Sequence, residues 1–314
     1  MIPQPISIEQ LASSLRNAAA TGAQIVGWDL SLLPRSILHR ADDLTVTVSS
    51  NITLVELQLA LAPHRQWLPI DPPATTSPTI EQIISSNLSG SRRYGYGTIR
   101  EQSIGITVML PDGRVIRSGG QVVKNVAGFD LCKLFVGSQG IIGIILEATF
   151  KLRPLPESEK LFVREFRTLS EADAFIAQIL QSPVTPILLD LHNCNDAGSW
   201  NIVIGFAGAS EDVAWQADIL DSIGRFRECD GGYIDSAIQR IPEIHRANSV
   251  LPSQLCAAIA SLPNIPILAH AGNGVFRNGT AGQKSSNANA NLLRRLVQKF
   301  DPAGVFRIGN SDTE

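Results

Sequence analysis

The chain has 314 residues, of which 44% are apolar and 18% charged, and its 26 Lys and Arg stand against 29 Asp and Glu. That is the composition of a globular protein long enough for two cored domains, and a net charge of −3 gives no electrostatic case for nucleic acid or an anionic membrane as partner. No run of ~20 apolar residues and no basic-then-apolar leader is present, and Cys132, Cys194, Cys229 and Cys256 form no Cys-x-x-Cys pair, so neither a membrane span, a secretory signal, a zinc site nor an iron–sulfur cluster is expected.

In chain order, Ser7-x-x-Gln10 has the form of a helix capping box, and Ile8, Leu11, Ala12 and Leu15 follow at helical spacing. Short strands are expected at residues 24–28 and 44–48. Thr53-x-x-Glu56 is a second capping box, opening a helix with Leu54, Leu57 and Leu61 inward. Residues 67–73 are held extended by their prolines. Thr79-x-x-Gln82 opens a third helix, with Ile80, Ile83, Ile84 and Leu88 inward and Gly90 as its stop. Residues 104–110 alternate, Pro111-Asp112-Gly113 turns, and Val115-Ile116 returns as a hairpin.

The most informative stretch is 119–152. Gly119, Gly120 and Gly128 punctuate a segment that turns sharply or approaches something closely. Asp130 is placed to cap a short helix with Leu131, Leu134 and Phe135 on one face. Gly137, Gly140 and Gly143 recur at three-residue spacing, ahead of a strand with Ile144, Leu146, Ala148, Phe150 and Leu152 on one face. Such a sequence suits a backbone lying against a bulky ligand. A glycine-rich connection inside a core fits it equally.

Pro154-Leu155-Pro156 reads as a linker. Beyond it come a strand at 160–166, a helix at 170–180 with Ala174, Phe175 and Ala177 or Ile179 inward, strands at 186–191 and 201–206, a helix at 210–223 stopped by Gly224, and a strand near Phe226. The order β-α-β-β-α-β is the split ferredoxin-like pattern. In Ala269-His270-Ala271-Gly272-Asn273-Gly274, His270 is a candidate for orienting a substrate, or else a hydrogen-bonded turn histidine. His39, His64, His192 and His245 have no metal-ligand spacing and read as surface or turn residues.

Residues 122–131 (Val-Val-Lys-Asn-Val-Ala-Gly-Phe-Asp-Leu) and 133–138 (Lys-Leu-Phe-Val-Gly-Ser) resemble the flavin domain of the vanillyl-alcohol-oxidase, or PCMH-type, FAD family, and within it the GlcE-like FAD-binding subunit of glycolate oxidase. Most of the first half shares the likeness, including Ser91-Arg92-Arg93-Tyr94-Gly95-Tyr96-Gly97, as does Asp301-Pro302-Ala303-Gly304-Val305-Phe306 near the end. The resemblance implies an α+β fold with an FAD-binding domain over 1–155, a ferredoxin-like cap over 156–265, and a return segment over 266–314 packing on the first domain. It implies non-covalent FAD, with Ser89, Gly90, Gly128, Gly137, Ser138, Gly140, Gly143 and Ile144 along it and His270 near the chemistry. It further implies oxidation of glycolate or a similar 2-hydroxy acid in the cytoplasm, with membrane association only through partners. Those partners would be a second flavin subunit and an iron–sulfur subunit. Two departures bear on the cofactor. The family's first phosphate loop is rich in glycine, whereas residues 26–32 keep only Gly27 and include Asp29; its second ends Gly-Gly, where this chain has Glu81-Gln82. A carboxylate in either loop would oppose a pyrophosphate. The alternative expectation is therefore a flavin-free scaffold subunit of the same assembly.

Overall fold

The computed structural model describes residues 3–72, 77–120, 130–194, 198–239, 248–263, 265–278 and 288–306. Residues 122–128 and His245, which carried part of the expectations above, lie outside them.

Helix α1 (Ile8–Thr21) starts at Ser7, whose Oγ accepts from the Gln10 N–H at 3.2 Å, and buries Leu11, Ala12, Leu15 and Ala18. Hairpin strands β1 (Ile37–Arg40) and β2 (Thr45–Ser49) precede α2 (Leu54–Leu61), β3 (Gln66–Trp67), α3 (Ile80–Ser85), and the short helices α4 (Arg93–Tyr96) and α5 (Ile99–Gln102). Strands β4 (Ser103–Met109) and β5 (Val115–Gly119) form the expected hairpin; α6 (Cys132–Phe135), β6 (Ile144–Lys151) and β7 (Arg153–Pro154) follow. The described residues form a five-stranded antiparallel sheet in the order β1-β2-β6-β4-β5, with β3 and β7 paired apart. Leu57 and Leu61 of α2, Ile80, Ile83 and Ile84 of α3, and Phe135 of α6 pack with Val46, Val108 and Phe150 of the sheet into one core.

Three local expectations change. Residues 24–28 make only a single parallel bridge, Ile25 to Phe306, because the partner strand comes from the far end of the chain. Asp130 does not cap α6: the N-cap is Leu131, which is 40% exposed, and Asp130 instead lies 3.6 Å from Lys133 Nζ. Cys132 and Phe135 take the buried face. In β6 the register against β4 slips between Thr107 and Val108, so Glu147 faces Thr107 but Ile145 faces Val108. A bulge reverses the alternation beyond it. Ile145 therefore joins the core with Ala148 and Phe150, while Ile144 and Leu146 pack with α1.

The second unit opens with β8 (Ser158–Phe166), α7 (Leu169–Gln181), β9 (Leu188–His192), β10 (Trp200–Gly208), α8 (Ser210–Ile223) and β11 (Arg227–Cys229). Its antiparallel order β11-β8-β10-β9 is ferredoxin-like. In α7 the buried stripe is Ala172, Phe175, Ile176 and Ile179; Ala174 and Ala177 face solvent, one position out of the expected phase. Then come α9 (Gly232–Gln239), β12 (Asn248–Ser249), α10 (Leu255–Ala260), β13 (Ile267–His270), β14 (Val275–Asn278) and α11 (Ala288–Phe300).

The boundary expected at residue 266 is displaced. Among the described residues, strands β13, β14 and β12 extend the second sheet beyond β9 to seven strands, covering the edge that β9 would otherwise leave open. The chain then returns to the first unit: Leu296, Val297 and Phe300 pack on its core, and Val305 and Phe306 join α1.

The cap of α2 is complete. Thr53 Oγ1 accepts from the Glu56 N–H at 3.2 Å, and Glu56 Oε2 accepts from the Thr53 N–H at 2.9 Å. Thr53→Ala is expected to cost about 1 kcal/mol in urea denaturation, the usual worth of such a cap. A loss below a few tenths would show that the box is redundant with the packing of Leu54 and Leu57.

Candidate functional site

Two polar centres stand on this scaffold. The first is a cavity of ≈ 580 Å³ walled by residues 25–31, Ser50 and Asn51, Thr79, Glu81, Gln82 and Ser85, and Gln139, Gly140, Ile141, Gly143 and Ile144, with Phe306. The α3 capping box fixes one wall: Thr79 Oγ1 accepts from the Gln82 N–H at 3.3 Å, and Glu81 N–H donates to Ser50 O at 2.8 Å. Asn51 Nδ2 ties the 27–33 loop down by donating to Leu30 O and Leu33 O at 3.1 and 2.9 Å. Its Oδ1 is buried without a partner, as is the indole Nε1 of Trp28. Ser138 Oγ, beside the Gln139–Ile141 wall, is also buried and unpartnered. Buried donors and acceptors are normally satisfied, so this wall has the chemistry to hold a polar ligand.

Both carboxylates singled out in the sequence line this cavity. Asp29 accepts from Gln4 Nε2 at 2.7 Å and from the Ser31 N–H at 3.0 Å. The Ser31 hydroxyl and N–H hold its carboxyl below the usual range. Burial pushes Glu81 up, partly offset by a hydrogen bond from Ser85.

The second centre lies where α4 meets the face of the second sheet opposite α7, α8 and α10. Asp190 in β9 is fully buried: Oδ1 accepts from His270 Nδ1 at 2.8 Å, and Oδ2 accepts from Ser91 Oγ across the two units. The His270↔Asp190 strand pairing puts both on one face. Gly95 N–H donates to Ile187 O at 3.0 Å, and a Cβ on Gly272 would fall 2.2 Å from the Tyr94 ring, so the His270 turn sits hard against α4. Arg92 N–H donates to both oxygens of Asp71 at 3.1 Å, and its guanidinium pairs with Glu159 and lies over the Trp67 ring at 5.6 Å. Burial pushes the Asp71 carboxyl up to about 7 against the pull of Arg92, and nearby Asp190 adds to the rise.

The expected site residues divide between the centres. Gly140, Gly143 and Ile144 line the cavity, and Ser138 adjoins it. Gly137 is one turn away, its N–H donating to Ile84 O at 2.9 Å. Ser89 Oγ accepts from the Ile99 N–H at 3.2 Å, and a Cβ on Gly90 would lie 1.6 Å from Asp71 O, so both hold the second centre's backbone. Gly128 lies outside the described residues. His270, the last residue of β13, is 3% exposed and hydrogen-bonded to Asp190 just before the chain turns. His192, read as a surface or turn residue, is 1% exposed on the same face as Asp190. Sequence reasoning missed Asp190, although a lone acid inside Leu188-Leu189-Asp190-Leu191 is itself a signal, since a buried charge needs a partner.

Residues 12–119 match the FAD binding domain family. Among curated proteins the chain is 35% identical over 149 residues to glycolate oxidase subunit GlcD of Bacillus subtilis (48% of this chain, 32% of that protein). It is 34% identical over 143 residues to glycolate oxidase subunit GlcE of Escherichia coli (45% and 41%), and 33% over 153 residues to the mitochondrial cytochrome D-lactate dehydrogenase of Arabidopsis thaliana (48% and 27%). These matches span about a third of the first relatives' own length. A solved alkyldihydroxyacetonephosphate synthase superposes with a TM-score of 0.70 over 97% of this chain and 75% of its own, at 17% identity, which speaks for the fold alone. Residues 12–119 thus carry an FAD binding domain match, and the fold adds a ferredoxin-like second unit. The match over residues 12–119 supports FAD as the cofactor of that domain, and the similar proteins include glycolate oxidase subunits and D-lactate dehydrogenases.

Proposed function

We propose that this chain is the FAD-binding subunit of a glycolate oxidase-type complex that oxidises glycolate or a similar 2-hydroxy acid. The observation that carries this reading is the cavity: the 26–31 loop, the start of α3 and the Gly140–Ile144 segment wall it together, with Trp28 Nε1 and Asn51 Oδ1 left unpartnered in it. Its ≈ 580 Å³ lies within the usual range for cofactor pockets. When bound, FAD supplies a hydride acceptor for the α-carbon of the hydroxy acid. The chain's own residues bind and orient. Ser138, Gly140, Gly143 and Ile144 would lie along the cofactor, with Gly137 one turn away; Ser89 and Gly90 set the backbone beneath the cap; and His270, held in one tautomer by Asp190, would orient the substrate. Electrons leave through partners, a second flavin subunit and an iron–sulfur subunit, in keeping with two relatives that are themselves named as subunits. Among the described residues no helix is long and apolar enough to cross a membrane.

Asp29 and Glu81 both line the cavity, and a carboxylate facing a bound pyrophosphate there would weaken the cofactor's hold. Glu81→Gln is expected to tighten FAD binding about fivefold, a like-charge contact being worth about 1 kcal/mol. It is also expected to remove a loosening with rising pH, since burial holds the Glu81 carboxyl above its usual range. Titration calorimetry at two pH values reads both effects, and unchanged affinity would place the phosphates away from Glu81. The whole reading is tested by the absorption spectrum of the purified chain with added FAD, alone and with its partners. Flavin bands retained through gel filtration are expected. A protein that stays colourless in both states would overturn the reading in favour of a flavin-free scaffold.

A further inference from the structure

Pairing across the second sheet aligns two rows of side chains on the face opposite α7, α8 and α10: Asp190, His270 and Val275, then His192, Leu268 and Arg277. Arg277 therefore stands one row from His270, facing the first unit. Arg93, two residues beyond the Ser91 that bonds Asp190, comes to it from the other side, and the two guanidiniums are close enough to repel. Both are half-buried. Each has its Nε fully enclosed without a partner, and neither side chain makes a hydrogen bond or ion pair among the described residues. Burial and the Arg93 charge hold Arg277 below its usual range, and burial does the same for Arg93 despite Glu101. At the tip of the β13–β14 hairpin, Asn273 Oδ1 is also buried and unpartnered.

Arg92, next in sequence, shows the contrast: it is matched by Asp71 and Glu159. Two adjacent, enclosed cations that form no ion pair among the described residues, with Glu101 offsetting Arg93 only in part, are an incomplete constellation. A planar carboxylate completes it, since it accepts from two guanidinium forks at once. We propose that Arg93 and Arg277 clamp the carboxylate of a small hydroxy acid between the two units, beside His270. This deepens the function proposed above, and rests on it for the hydroxy acid but not for the anion site.

The test uses the full chain and oxalate, a planar carboxylate that is not oxidised as a hydroxy acid. Wild type is expected to bind oxalate in calorimetry and to gain melting temperature with it. Arg277→Gln and Arg93→Gln should each weaken binding about tenfold, the loss of one fork. Arg277→Lys should recover part of it. Without oxalate, Arg277→Gln should melt no lower than wild type, because it relieves a repulsion. Several outcomes would overturn the proposal: no oxalate binding by wild type, binding that Arg277→Gln leaves unchanged while the protein loses stability, or inorganic phosphate bound as tightly as oxalate. FAD binding is read by absorbance on the same samples. Oxalate bound by a colourless protein would sustain the clamp and sink only the flavin function.

Discussion

Asp190→Ala is expected to cost about 3–5 kcal/mol of stability, the largest loss of any single polar substitution in the second unit. Asp190 is 0% exposed and accepts from two buried donors, His270 Nδ1 and Ser91 Oγ. Alanine leaves both donors enclosed without an acceptor, at about 1–3 kcal/mol each, and opens a small void in β9. The two donors lie on different units, so the damage is not confined to the strand. Asp190→Asn, which keeps one carbonyl oxygen, should lose roughly half as much, and Ser91→Ala about 1 kcal/mol. Urea denaturation of the three variants and of the Ser91→Ala/Asp190→Ala double mutant gives the coupling directly. A loss below about 1 kcal/mol for Asp190→Ala would mean that His270 finds another acceptor, and the positioning role given to the pair would fall with it.

What the sequence discloses and what it withholds follow from range. The boxes at Thr53–Glu56 and Thr79–Gln82 bond within three residues, so they are written in consecutive letters and appear as expected. The β4–β5 hairpin and the βαββαβ order rest on local periodicity and were legible for the same reason. The slip near Leu146 was not, because a bulge is a relation between two strands and neither one alone marks it. The same holds for β13 and β14, which look like a connection until β9 needs a neighbour. Of the second centre, His270 was visible through its glycine-rich surroundings. Its partners lie 80 and about 180 residues away, at Asp190 and Ser91, and no spacing rule joins them. Arg93 and Arg277 were equally hidden. In the sequence Arg92 and Arg93 are adjacent and alike; only the fold separates the ion-paired Arg92 from Arg93, whose Nε is enclosed without a partner.

Asp71 gives the centre a pH dependence whose sign can be fixed in advance. Burial pushes its carboxyl from the ordinary aspartate value of 3.8 up to about 7; Arg92 pulls it down, Asp190 pushes it up, and His270 pulls it down. Between these two values the folded protein binds a proton that the unfolded chain has already lost. Stability from this group is therefore complete below pH 3.8 and is lost as pH rises through about 7. At 1.36 kcal/mol per pH unit the ceiling is about 4 kcal/mol. The side chain is 22% exposed, with its Oδ2 3.8 Å from Arg92 Nη1, and screening there brings the expected loss to about 2 kcal/mol. Asp71→Asn fixes the uncharged form while keeping one acceptor for the Arg92 N–H. The variant should match wild type near pH 4 and exceed it by about 2 kcal/mol at pH 8, with the difference growing from about pH 4 and levelling off above about 7. Other carboxylates titrate in both proteins alike and cancel in that difference. Urea midpoints across the range provide the measurement. If wild type instead gained stability over Asp71→Asn as pH rose, Asp71 would be ionised throughout, Arg92 would outweigh burial, and the second centre would hold one more fixed negative charge beneath His270 than assigned here.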